Sequence, residues 1–105
     1  MKINVEQFAG KCSCGKCHNI FVKDIFIEWD AIKKLPLLLA QKPYCDYGKP
    51  LLICDDNTWK AAGKEICEDL LHIGSICLDS NNLHANEFAV QKVLDNMPSD
   101  IGILI

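Results

Sequence analysis

Three short apolar runs, Leu51 to Cys54, Ser75 to Leu78 and Ile101 to Ile105, are separated by two stretches in which apolar residues recur every three to four positions. Runs this short, without polar alternation, read as strands buried on both faces. Between the first two, Trp59, Ala62, Ile66, Leu70 and Ile73 mark one face of a helix that Asn57 or Thr58 can cap and Gly74 can end. Between the second and third, Phe88, Val90, Val93, Leu94 and Met97 mark another helix, closed by Pro98. Strands and helices that alternate in this way call for right-handed crossovers and a parallel sheet covered on both faces.

Upstream, HNIFV and IFIE flank Lys23-Asp24, so His18 to Glu28 reads as a β-hairpin. Asp30 then suits an N-cap for a helix carrying Ala31, Ile32, Leu35, Leu38 and Leu39, which Pro36 must kink or divide. The polar stretch KPYCDYGKP follows as a loop. The expected fold class is α/β, a partial Rossmann-like three-layer domain with three parallel strands, crossover helices and an N-terminal β-hairpin. One domain is expected over residues 1–105, with a Cys-rich segment at 1–17. A chain of 105 residues, half of them apolar, can bury a modest core, and it contains no repeat or low-complexity linker.

A net charge of −3 and a pI near 5.5, with scattered lysines, argue against nucleic acid as a partner. No signal-peptide core opens the chain and no run approaches the roughly 18 apolar residues that span a bilayer, so a cytoplasmic protein with no membrane partner is expected. Seven cysteines is an odd number for a disulfide framework. Cys54 and Cys77 end apolar runs and Cys67 adjoins Ile66, so these three read as buried, reduced thiols.

Two constellations carry chemistry. In LLICDDNTWKAAG, Asp55 stands at the carboxyl end of a strand, where open α/β sheets bind ligands. A carboxylate there can accept both hydroxyl protons of an adenosine ribose and repels the extra phosphate of NADP; Asn57 and Thr58 stand beside it as further cofactor contacts. Helix capping is the competing reading of the same residues. Neither G-x-G-x-x-G nor a P-loop is present. The second constellation, Cys12-Ser13-Cys14-Gly15-Lys16-Cys17-His18, offers soft ligands for a structural zinc through Cys12, Cys14, Cys17 and His18, although it holds a single C-x2-C pair that Cys12, His18 or the distant Cys45 would have to complete. A surface loop of reduced thiols is the alternative. His72 and His84 read as solvated, and Glu65, Glu68 and Asp69 as a salt-bridged face with Lys60 and Lys64 near by.

CSCGKCH followed by a hairpin, then WDAIKKLPLLL, LLICDDNTWKAAG and MPSDIGILI, resembles the N-terminal part of the iron-containing alcohol dehydrogenase superfamily, and within it the sn-glycerol-1-phosphate dehydrogenase branch. DNTWKAAG is the most specific piece. The resemblance implies that Asp55 contacts the adenosine ribose of NAD(P), and that the complete enzyme pairs this domain with a helical C-terminal catalytic domain holding a divalent zinc, nickel or iron ion. It further implies reversible reduction of dihydroxyacetone phosphate to sn-glycerol-1-phosphate. The ligands for that metal are absent here and the glycine-rich phosphate loop would follow Ile105, so the expectation is a portion inactive alone, with a bare C-terminal strand that favours homo-oligomers. A small non-enzymatic metal-binding module built on Cys12, Cys14, Cys17 and His18 is the second reading. A response-regulator-like switch is the third, weakened because no acidic pocket with a partner lysine on a later strand is evident.

Overall fold

The structure, a computed structural model, describes residues 1–71 and 73–105, so the reading of His72 lies outside the described residues. The chain forms two compact units, Met1–Ile32 and Lys33–Ile105.

The first unit holds four two-residue strands, β1 (Lys2–Ile3), β2 (Gly10–Lys11), β3 (Cys17–His18) and β4 (Ile25–Phe26). β1 pairs antiparallel with β4, and β2 with β3. The N-terminal hairpin therefore exists, but it runs from Gly10 to His18 and not from His18 to Glu28. Its turn is closed by the Cys12 N–H donating to Lys16 O at 2.9 Å and the Gly15 N–H donating to Cys12 O at 3.0 Å, with Gly15 at φ +84°. Lys23-Asp24 has no such residue for the positive φ of a tight hairpin turn. Asp24 instead pairs with Lys2 at 2.6 Å, which holds β4 against β1. No side chain of this unit is fully buried.

Ala31–Lys34 forms a 3-10 turn and Leu35–Leu39 the helix α1, with Pro36 in its first turn, where a missing N–H is harmless. The segment thus divides just ahead of Pro36. Asp30 does not act as the expected N-cap: its φ of 54° lies in the left-handed region, whereas a cap is extended. Tyr44–Asp46 adds a 3-10 turn to the expected loop.

The remaining chain runs β5 (Lys49–Asp55), α2 (Asp56–Thr58), a π-helical turn (Trp59–Gly63), α3 (Lys64–Asp69), β6 (Gly74–Leu78), α4 (Glu87–Asn96) and β7 (Ile101–Leu104). The three strands are parallel in the order β6-β5-β7. As the central strand, β5 supplies the buried apolar residues, Leu51 at 2% exposure, Leu52 at 4% and Cys54 at 8%. Successive residues face opposite layers. Leu52 faces the π-helical turn, where a Cβ added to Gly63 would lie 3.5 Å from Leu52 Cδ2. Ile53, with Leu78 and Leu104, faces Val90, Val93, Leu94 and Met97 of α4. Helices therefore cover both faces of the sheet, as the α/β reading requires.

Two expectations shift, and the sheet carries one irregularity. Helix 56–69 ends at Asp69, and Gly74 belongs to β6 rather than to a helix cap. Cys54 is buried, which pushes its thiol up to about 11, and Cys67 is half-buried; Cys77 is exposed, because β6 is an edge strand among the described residues. Finally, the β5 and β7 register slips at Gly102: Lys49 lies opposite Ile101 and Pro50 opposite Ile103. The backbone of Gly102 passes so close to Tyr47 that an added Cβ would fall on the Tyr47 carbonyl. No helix among the described residues is long and apolar enough to cross a membrane.

Candidate functional site

The strand order locates the site. From β5 the chain moves to β6 on one side and then crosses to β7 on the other, so the order reverses at β5. In doubly wound sheets ligands bind at this switch point, outside the carboxyl ends of the strands. Asp55 ends β5 at that edge. A cavity of about 760 Å³ opens at the opposite, amino edge, lined by Pro50, Leu70, Leu71, Ile73 and Pro98. Its lining also carries Lys49, Asp69 and Asp100, but Lys49 pairs with Asp100 and Asp69 with Lys33, so these charges are engaged within the chain.

Asp55 is the cap of the following helix. Its Oδ1 accepts the Thr58 N–H at 2.7 Å and the Thr58 hydroxyl at 2.7 Å, while its own N–H donates to Thr58 Oγ1 at 2.9 Å. This reciprocal box replaces the expected Asn57 or Thr58 cap, because Asp55, with ψ of 177°, is the last extended residue. The bonds from the Thr58 N–H and hydroxyl hold the Asp55 carboxyl below its ordinary range, so it is ionised at neutral pH. Thr58 is committed to the box; Asn57 is exposed at the same edge.

Asp56 was not singled out by sequence reasoning as a tether, since one more acid in a capping sequence carries no mark of its partner. Its Oδ1 accepts the Ser80 N–H at 2.8 Å, joining the carboxyl end of β5 to the chain just beyond β6 and lowering the Asp56 pKa. With Asp55 and Asp56 both ionised, the positive end of the helix dipole is already offset and an incoming phosphate meets like charge. This junction can therefore read a diol through a carboxylate, but it does not form a phosphate cradle.

A second group lies in the first unit. Ligand atoms of Cys12, Cys14 and His18 all fall within 4.8 Å of one another, with Cys14 Sγ 3.2 Å from His18 Nε2. Cys17 stays outside this group, since it neighbours His18 on β3 and successive strand residues point to opposite faces. The Cys14 N–H reaches Cys12 Sγ at 3.5 Å, and this contact lowers the Cys12 pKa toward the thiolate that metals bind. Cys45 stands in the Tyr44–Asp46 turn and is no member of the group.

The remaining candidates are structural. His84 is exposed beside a polar depression of about 200 Å³ with Asn81 and Asn82, as expected of a solvated residue. Glu65 and Asp69 are salt-bridged, but to Lys33, at 2.7 and 3.0 Å, and not to the lysines of their own helix. Lys64 pairs with Glu68 at 3.9 Å.

A doubly wound α/β edge with an ionised carboxylate at its switch point is the layout of a nucleotide-binding sheet. The chain is 26% identical to the NAD(P)+ glycerol-1-phosphate dehydrogenase of Geobacillus thermodenitrificans over 97% of its length, which is 26% of that protein. It is 29% identical to the enzyme of the same name from Geobacillus stearothermophilus, over 96% of its length and 26% of that protein. It thus spans about a quarter of the length of the curated relatives it matches, and along nearly all of its own length it is similar to the glycerol-1-phosphate dehydrogenases. No family model and no solved structure matches it.

Proposed function

We propose that these residues are the N-terminal, NAD(P)-binding portion of a metal-dependent glycerol-1-phosphate dehydrogenase-like oxidoreductase of the cytoplasm, of the iron-containing alcohol dehydrogenase type, acting between dihydroxyacetone phosphate and sn-glycerol-1-phosphate. One observation carries the reading: the carboxylate of Asp55 lies at the carboxyl end of the central strand, at the switch point, in a chain similar over nearly its full length to dehydrogenases named for NAD(P)+. Asp55 receives the adenosine ribose and Asn57 flanks it. Thr58 acts by holding Asp55 rather than by touching the cofactor. The residues fit this end of the dinucleotide and do not fit its pyrophosphate, which the paired acids repel. A bound dinucleotide would supply the hydride, and among the described residues no cluster of metal-ligating side chains includes a residue of this strand end. The complete enzyme needs a phosphate loop, a catalytic domain and a zinc, nickel or iron ion in addition.

Calorimetric titration tests the reading. NAD binds no tighter than about 1 mM, because contacts of pyrophosphate with a helix N-terminus are missing. NADP binds more weakly, and Asp55→Asn, which keeps an oxygen for the cap, removes the preference. These residues alone, with zinc, nickel or iron added, give no NADH oxidation by dihydroxyacetone phosphate. Equal affinity for NAD and NADP in the parent chain would take Asp55 out of the site.

A further inference from the structure

The unit Met1–Ile32 has too little to hold it together. It contains no fully buried side chain, and its four strands are two residues each. Domains below about 40 residues usually need a disulfide, a metal or a partner to fold. None of its three cysteines is in a disulfide, and two of them, in the turn of its hairpin, converge with His18 of β3.

We propose that Cys12, Cys14 and His18 bind one zinc ion that staples the β2-β3 hairpin. Two thiolates and an imidazole are the donor set zinc prefers, with Zn–S near 2.3 Å and Zn–N near 2.0–2.1 Å. Tetrahedral bonds of that length place neighbouring donors about 3.5–3.8 Å apart, and the three donors here already lie within 4.8 Å, Cys14 Sγ and His18 Nε2 at 3.2 Å. The turn makes this possible: the Cys12–Lys16 and Gly15–Cys12 backbone bonds fold Cys12 and Cys14 back toward β3, and His18 is the strand residue on their side. Cys17 contributes no bond, and water completes the tetrahedron. Among the described residues no other three His, Cys, Asp or Glu side chains converge in this way. The site is independent of the nucleotide reading.

Titration of the reduced full chain with cobalt(II), followed by zinc, tests the site through the thiolate charge-transfer and tetrahedral d–d bands of the bound cobalt. One cobalt per chain is expected, displaced by one zinc. Cys12→Ser, Cys14→Ser and His18→Gln each weaken binding at least about tenfold, the scale on which even groups supporting a metal ligand count. Cys17→Ser stays close to the parent. Zinc also slows amide exchange across residues 10–18 in the parent and not in the three variants, while amides of β5 stay protected in all of them, which shows the sheet intact. The absence of saturable binding overturns the proposal. So does a Cys17→Ser loss equal to that of Cys12→Ser, or one-to-one binding that survives all three ligand substitutions.

Discussion

At the scale of single residues, Asp55 serves the fold and the proposed site at once. Its Oδ1 is spent on Thr58, so whatever it offers a ribose comes from the rest of an ionised carboxylate that the cap has already oriented. The same bonds make stability depend on pH. Because the folded carboxyl titrates below the ordinary 3.8, the stabilisation is present above the unfolded value and is lost as the pH falls through the lower folded one. Asp55→Asn keeps the cap but does not titrate, so urea midpoints of parent and variant should converge on acidification below about pH 4. Parallel midpoints down to pH 2 would show that the box contributes nothing to the acid limb. Asp56, tied to Ser80, has a pKa lowered in the same sense and remains in both proteins.

At the scale of elements, the packing of β7 on β5 depends on a residue without a side chain. Gly102 is the extra residue where the register slips, and its backbone lies against Tyr47. Gly102→Ala forces backbone to move and should cost about 1–3 kcal/mol, as overpacking does. Equal denaturation midpoints for variant and parent would contradict that account. The three strands and both crossover helices were legible because their periodicity is set by burial on a central sheet, as Leu51, Leu52 and Ile53 show. Less was legible where a distant partner decides. Lys2 draws Asp24 and with it β4 away from the expected hairpin, and Lys33 rather than Lys60 or Lys64 takes Glu65 and Asp69. Of the site, Asp55 could be read from its place at a strand end, whereas the Asp56–Ser80 bond spans 24 residues and leaves no local pattern. The donor set Cys12, Cys14 and His18 was visible as residue types; strand alternation, which sets Cys17 apart, needed the register of β3.

At the scale of the molecule, much apolar surface stays exposed. Leu94 at 52%, Val90 at 57% and Leu104 at 58% line one side of the sheet unit, and β7 pairs only with β5 among the described residues. Bare strand edges and apolar patches promote pairing with another copy. A two-fold dimer through β7 is expected by size exclusion with light scattering at high micromolar concentration, and Ile103→Lys should disperse it; a clean monomer would refute the association. The central claim, that the carboxyl edge of this sheet receives the adenosine end of a dinucleotide, is met most directly by amide chemical-shift mapping of the labelled chain during titration with NAD. The account predicts shifts concentrated at Cys54 to Thr58 and Leu78 to Ser80, with Asp55→Asn reducing them. Shifts centred instead on the amino-edge cavity around Leu71 and Pro98, or no saturable shifts up to tens of millimolar NAD, would contradict it.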